Sequence, residues 1–259
     1  MNLIMSTVSF SLLLLAAQEV PIDWTAITPD KAPVGWVATP PPSTEEEWFC
    51  ANHSGDEWTV ALRDDHLSIS RFRDSPQIVL ELSGGQLEGS NHGEFGGHIG
   101  WRDGRTKSVT EILKANPIGF HSGEAGIFAF VGLAHLSLDK GSVLKLKRDH
   151  NGIWLSSRIL DLGTAPRAIF PYERDEDLVL TTRGVMTVDL RHSRKAMLFE
   201  NRRWDWLYGH SILKFRDDIF VGARRAVLHL KPSNRGYSEE WWVRSECRKL
   251  EGEHCVCVQ

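Results

Sequence analysis

The chain has 259 residues, 41% hydrophobic and 25% charged, an ordinary balance for a folded protein and enough chain to bury a full core. Its formal net charge of -4 and pI near 6.3 lack the strongly basic footprint of a nucleic-acid-binding domain, so nucleic acid is not expected as a partner. Residues 1–129 hold 8 Lys+Arg against 17 Asp+Glu and residues 130–259 hold 22 against 17, an asymmetry read as opposite charges interleaving when a repeat closes on itself.

Residues 1–17 (MNLIMSTVSFSLLLLAA) contain an apolar core, Val8 to Ala17, too short to span a bilayer. These are signal-peptide dimensions, although no Lys or Arg precedes the core and Leu15 stands where a small residue is usual. The expectation is a periplasmic or secreted protein without stable membrane insertion, since no later segment approaches the length of a membrane helix. Residues 18–47 carry six of the eleven prolines, Pro40-Pro41-Pro42 among them, and end in Glu45-Glu46-Glu47. Such a run reads as an extended N-terminal arm with no helix and little sheet.

From Trp48 to the end, residues 48–259, the pattern is that of one β domain. Trp48-Phe49-Cys50, Glu57 to Leu62, His66 to Phe72 and Gln77 to Leu82 are short β runs separated by turn residues such as Ser54-Gly55-Asp56 and Ser83-Gly84-Gly85. Residues 86–117 are less regular. Ser108 and Glu111 have capping-box spacing for a helix, while Gly97 to Trp101 and Lys107 to Leu113 fit a hairpin turning at Asp103-Gly104.

After Pro117 a unit recurs every 45 to 50 residues or so. Ile118-Gly119-Phe120, Ala168-Ile169-Phe170 and Ile212-Leu213-Lys214-Phe215 each begin one. The hairpin-like stretches Gly126 to Leu138, Asp177 to Leu190 and Asp218 to Leu230 follow, and then the strands Gly152 to Leu160, Lys195 to Glu200 and Glu239 to Val243. Four strands per unit of this length resemble the blades of a β-propeller, and the resemblance implies an all-β fold of about five four-stranded blades. An N-terminal strand would then be able to complete the last sheet, and a two-sheet β-sandwich is the alternative. The ten tryptophans suit the thin cores of such sheets better than ligand platforms.

The four cysteines, Cys50, Cys247, Cys255 and Cys257, are an even set that suggests two disulfides. Joining Cys50 to one of the late three would fasten a ring where it closes. A zinc site from Cys247, His254, Cys255 and Cys257 is the weaker alternative, because its spacing matches no paired C-x-x-C set.

Among groups able to carry chemistry, His92, Glu94 and His98 would share one side of an extended chain and make a divalent-metal set. The four surrounding glycines favour an irregular loop that satisfies its own backbone, and no cofactor is expected. Arg203, Trp204 and Trp206 combine guanidinium and indole groups able to stack sugars or meet acidic groups. His121, His135, His210 and His229 recur near strand positions, where buried, satisfied imidazoles are the default. There is no G-x-S-x-G elbow, phosphate loop or dinucleotide fingerprint, and Asp64, Asp65, Asp177, Asp217 and Asp218 fall mostly in turns. The resulting expectation is an exported, non-enzymatic binding protein whose partner is another protein or a glycan, as an inhibitor or immunity-type partner of a secreted enzyme would be. The alternative is a carbohydrate- or cell-wall-acting enzyme with carboxylates and histidines around the propeller channel.

Overall fold

A computed structural model describes residues 25–27, 31–53, 55–73, 77–251 and 255–258. The signal-peptide segment, Trp24 and His254 lie outside them. The described chain opens with β1 (Thr25–Ile27), β2 (Trp36–Thr39) and helix α1 (Glu45–His53). Strands β3 (Trp58–Arg63) and β4 (His66–Arg71) make the first sheet, with β1 beside β4. The second sheet is β5 (Gln77–Leu82), β6 (Gly85–Asn91), β7 (Gly97–Asp103) and β8 (Val109–Lys114), so the hairpin reading of Gly97 to Leu113 holds and the helix reading does not. The third is β9 (Pro117–Gly123), β10 (Gly126–His135), β11 (Leu138–Arg148) and β12 (Trp154–Asp161). The fourth is β13 (Pro166–Glu173), β14 (Glu176–Thr181), β15 (Gly184–Asp189) and β16 (Arg194–Glu200). The fifth is β17 (Ser211–Phe215), β18 (Asp218–Gly222), β19 (Ala226–Ser233) and β20 (Gly236–Arg244), with β2 paired beyond β20. A short hairpin, β21 (Lys249–Glu251) and β22 (Val256–Val258), follows.

These five antiparallel sheets are the blades of an all-β propeller. The proof lies in where the apolar side chains go: a sandwich would gather them into one layer, whereas here separate clusters fill the gaps between successive sheets. Leu87, Ile99 and Trp101 meet Ala129, Leu144 and Leu146 between the second and third sheets. Phe128, Phe130 and Val143 meet Val179, Met186 and Val188 between the third and fourth. Leu178, Leu180 and Val185 meet Ile219, Val221 and Trp241 between the fourth and fifth, and Trp58, Val60 and Ile69 meet Phe220, Val227 and Trp242 between the fifth and first. Trp241 and Trp242 therefore both end up buried, one in each of two cores, because the blade is covered on both faces. The outward face of the second sheet is polar instead, with Arg102 holding the Glu88 carboxylate and Ser90 hydrogen-bonded to His98, and among the described residues no apolar cluster joins it to the first sheet.

Three sequence readings are corrected here. Gly126 to Leu138 is not a hairpin but the single long strand β10 followed by a turn at Leu136, which takes φ +52°. Gly132 lies inside the strand, where a Cβ would collide with Pro166 and the Lys140 carbonyl. Likewise Trp48-Phe49-Cys50 is helical. Thr44 Oγ1 accepts from the Glu47 amide at 3.2 Å while Glu47 Oε2 accepts from the Thr44 amide at 3.2 Å, a reciprocal capping box that starts α1. The Pro-rich arm also contributes two paired strands, β1 and β2.

The ring closes between the last sheet and the first. The Trp58 amide donates to the Ala223 carbonyl at 3.1 Å and the Arg225 amide to the Asp56 carbonyl at 2.7 Å. Gly222 permits this approach, since a Cβ there would overlap the Trp58 carbonyl. Outside the ring, Cys50 of α1 is bonded to Cys255, 205 residues away, and Cys247 to Cys257. All the sulfurs of the zinc alternative are thus in disulfides. The charge asymmetry is answered by pairs that join the halves: Glu57 to Arg224, Glu45 to Arg203, and Glu124 to Arg174 and Arg191.

Candidate functional site: the mouth of the central channel

The inner strands β3, β9, β13 and β17 line an open cavity of about 440 Å³ at the centre of the propeller. Most of its lining residues are apolar, Val60, Ile118, Ile169 and Leu213 among them. Three polar side chains interrupt it: Arg167, His210 and Ser211. Ser211 Oγ accepts from the Val60 amide at 2.8 Å, which ties β17 to β3.

Arg167 and His210 sit at or just before the first residues of β13 and β17, and this places them at one mouth of the channel. His210 stacks on Phe72 at 3.6 Å between ring centroids, and its Nε2 lies 3.4 Å from Glu57 Oε2. The other Glu57 oxygen takes Arg224 Nε at 2.9 Å, and Arg224 also donates to the Asn52 carbonyl at 3.1 Å. Tyr208 brings the two arginines together, with the Arg224 guanidinium 3.8 Å and the Arg167 guanidinium 5.4 Å from its ring centroid. Arg167 further reaches Asp205 at 3.4 Å. The mouth is thus a half-exposed belt of guanidinium, imidazole and aromatic groups around an apolar shaft.

The loop that supplies Asp205 and Tyr208 is a 3-10 turn over Arg202–Leu207. Asn201 caps it by accepting from the Arg203 amide at 3.1 Å, and Tyr208 leaves it at φ +47°. Trp204 anchors it, with Nε1 donating to Glu239 Oε1 at 2.9 Å, the same oxygen that receives Trp241 Nε1 at 2.6 Å. So Trp204 is a core residue, 3% exposed, and not part of a presented surface. Arg203 pairs with Glu45 and lies 5.6 Å over the Trp48 ring, holding α1 against the turn. Of the three residues singled out in this stretch, Trp206 is the one turned outward, 41% exposed, as Tyr208 is.

His92, Glu94 and His98 are not gathered into a ligand set. His92 precedes a 3-10 turn, Gly93–Phe95, Glu94 pairs with His135 at 2.5 Å, and His98 Nδ1 lies 2.8 Å from Ser90 Oγ. Asn91 and Asn116 bond the backbone of Gly93 at 2.9 and 2.8 Å, so the loop satisfies itself as its glycines suggested. Among the described residues no three His, Cys, Asp or Glu side chains stand where they would hold a metal ion.

The other histidines lie away from the channel. His121 is buried and its Nδ1 lies 2.9 Å from Asp177 Oδ1, a hydrogen bond that raises the imidazole pKa. His229 is buried between Phe220 and Trp242, and burial lowers its pKa. Asp64, Asp65 and Asp217 occupy turns and Asp218 opens β18, at the ends of β3 and β17 away from His210. No carboxylate lines the channel among the described residues.

Arg167, Tyr208, Glu57 and Arg224 were not singled out from the sequence, although a signal existed. A residue just ahead of a recurring apolar triplet must lie at the channel mouth, as Arg167 does before Ala168-Ile169-Phe170.

No family model matches the chain, and no curated protein does. Among solved structures it is similar to an engineered GH43 glycoside hydrolase that displays both endo-xylanase and exo-arabinofuranosidase activity, at a TM-score of 0.38 and 9% identity over 68% of this chain and 42% of that one. It is also similar to an extracellular domain assigned to a one-component system of B. thetaiotaomicron, at a TM-score of 0.30 and 8% identity over 70% of this chain and 36% of that one. The chain therefore spans less than half the length of either.

Proposed function

We propose that the protein is an exported, non-catalytic binding protein that receives a partner protein at the channel mouth. The composition of that mouth carries the reading: Arg167, His210, Tyr208 and Arg224 cluster beside the apolar-lined channel, and the two carboxylates among them, Glu57 and Asp205, are held in ion pairs by these same cations. Glycoside hydrolysis in its common form needs a proton-donating carboxylic acid facing a second carboxylate, and the engagement of Glu57 by Arg224 and of Asp205 by Arg167 disfavours the enzymatic alternative. Aromatic and arginine side chains on a rigid frame are the usual anchors of protein recognition. Export is supported by two disulfides, with no free cysteine among the described residues, which suits an oxidising compartment.

The test is site-specific photocrosslinking with a benzophenone amino acid at Tyr208 or Trp206, against a control at Ile153, an exposed residue of the β11–β12 turn. Incubation with the extracellular or periplasmic fraction of the producing organism should give one discrete protein adduct from the mouth positions and none from the control. Equal labelling from all three positions, or release of reducing sugar from a panel of cell-wall and plant polysaccharides, would overturn the reading.

A further inference from the structure

A second cavity, of about 540 Å³, lies where the Pro40–Pro42 strap, the start of α1 and the C-terminal hairpin meet on the flank of the fifth sheet. Pro40, Pro41 and the buried Trp241 give it an apolar wall, and Arg225, Arg248 and Lys249 give it a cationic one. The one acidic group of its lining, Glu47, is engaged in the helix cap, accepting from the Ser43 amide at 2.6 Å and Ser43 Oγ at 3.0 Å. The cavity is therefore electropositive with a hydrophobic side.

Arg225 is the notable member. It sits in the β18–β19 turn at φ +64°, and its terminal nitrogen donates to the Arg248 carbonyl at 3.2 Å. Its Nε is buried without a hydrogen-bond partner, and Arg225 forms no ion pair among the described residues. Burial pushes its guanidinium pKa down, with Glu47 acting against this at longer range. Arg225 is thus half-buried, with Glu47 near but not bonded to it, and a guanidinium fork matches carboxylate geometry.

From this geometry we infer that the cavity is a ligand site for an organic carboxylate with an apolar body, the carboxylate on Arg225 and Arg248 and the apolar part against Pro40, Pro41 and Trp241. Its volume is that of a small-molecule pocket. The same chemistry is offered by a free acid and by the C-terminal residue of a peptide. The inference is independent of the channel mouth.

Isothermal titration of the full chain tests it with N-acetyl-phenylalanine and a pentapeptide ending in phenylalanine, each as acid and as amide. The acids should bind, with affinity falling as salt rises, and the amides should bind at least about tenfold more weakly, as expected for a charge-assisted hydrogen bond. Arg225→Gln and Arg248→Gln should each weaken the acids by about tenfold or more. Arg248 is exposed, so its replacement tests the site even if Arg225→Gln disturbs the turn. Binding of the free acid assigns the cavity to a small molecule, and binding of the peptide alone assigns it to a chain terminus. Amides matching acids, R248Q binding like the parent chain, or no heat from either acid at about 1 mM would overturn it.

Discussion

His229 is enclosed by Phe220 at 4.4 Å and Trp242 at 4.8 Å between ring centroids, and Asp218 and Glu240 stand off its ring nitrogens at 3.4 and 3.6 Å. Burial is the largest influence on it and lowers its pKa, so the folded protein holds the neutral ring. The unfolded chain titrates near the ordinary imidazole value of about 6.5. Below that pH the unfolded state gains a proton that the folded state lacks, and the stability contributed by a neutral His229 is lost as pH falls. His229→Phe keeps the aromatic stack and removes the proton. Urea midpoints at about pH 7.5 and 5 should therefore fall less steeply for H229F than for the parent chain. Equal slopes would show that His229 titrates alike in both states. The His121–Asp177 pair, which raises the His121 pKa, acts in the opposite sense and is common to both proteins.

At the scale of the element, the start of α1 shows how little of the chain decides between arm and helix. The acidic run Glu45-Glu46-Glu47 after three prolines reads as an extended, solvated tail, yet Thr44 and Glu47 have the spacing of a capping box, and the negative charges lie at the positive end of the helix dipole. The signal is therefore legible in the sequence, beside prolines that point the other way. Thr44→Ala should cost about 1 kcal/mol in a thermal or chemical melt. A cost indistinguishable from zero would mean that Trp48 and the disulfide at Cys50 hold the helix without its cap. Strand β10 is the converse case. GIFAFVG is apolar throughout because the blade is covered on both faces, and Gly132 serves packing against Pro166 where a sequence reader expects a turn. Strand starts in the third, fourth and fifth blades, by contrast, were legible from their recurring triplets.

For the whole molecule, closure depends on contacts between residues far apart in sequence. Backbone hydrogen bonds join Trp58 to Ala223 and Asp56 to Arg225, and the Cys50–Cys255 disulfide spans 205 residues. In the chain-entropy picture that bond stabilises by about 5 kcal/mol, whereas the bond across the 10-residue separation of Cys247 and Cys257 contributes about 3 kcal/mol. The Cys50→Ser, Cys255→Ser pair should lower the melting temperature more than the Cys247→Ser, Cys257→Ser pair, as read by calorimetry on oxidised protein. The reverse order would place the stabilising strain of closure elsewhere. What the sequence determined by itself was local and periodic: alternation that makes strands, a unit length that makes blades, and an even set of cysteines. Strand alternation alone would turn one of Trp241 and Trp242 inward and the other outward, whereas both are buried because the blade is covered on both faces. Only the tertiary structure decided which cysteine meets Cys50, that Trp204 turns inward while Trp206 turns out, and that Arg167, His210 and Tyr208 share one mouth. Those outcomes depend on how five sheets rotate about a common axis, which brings together groups that no sequence spacing relates.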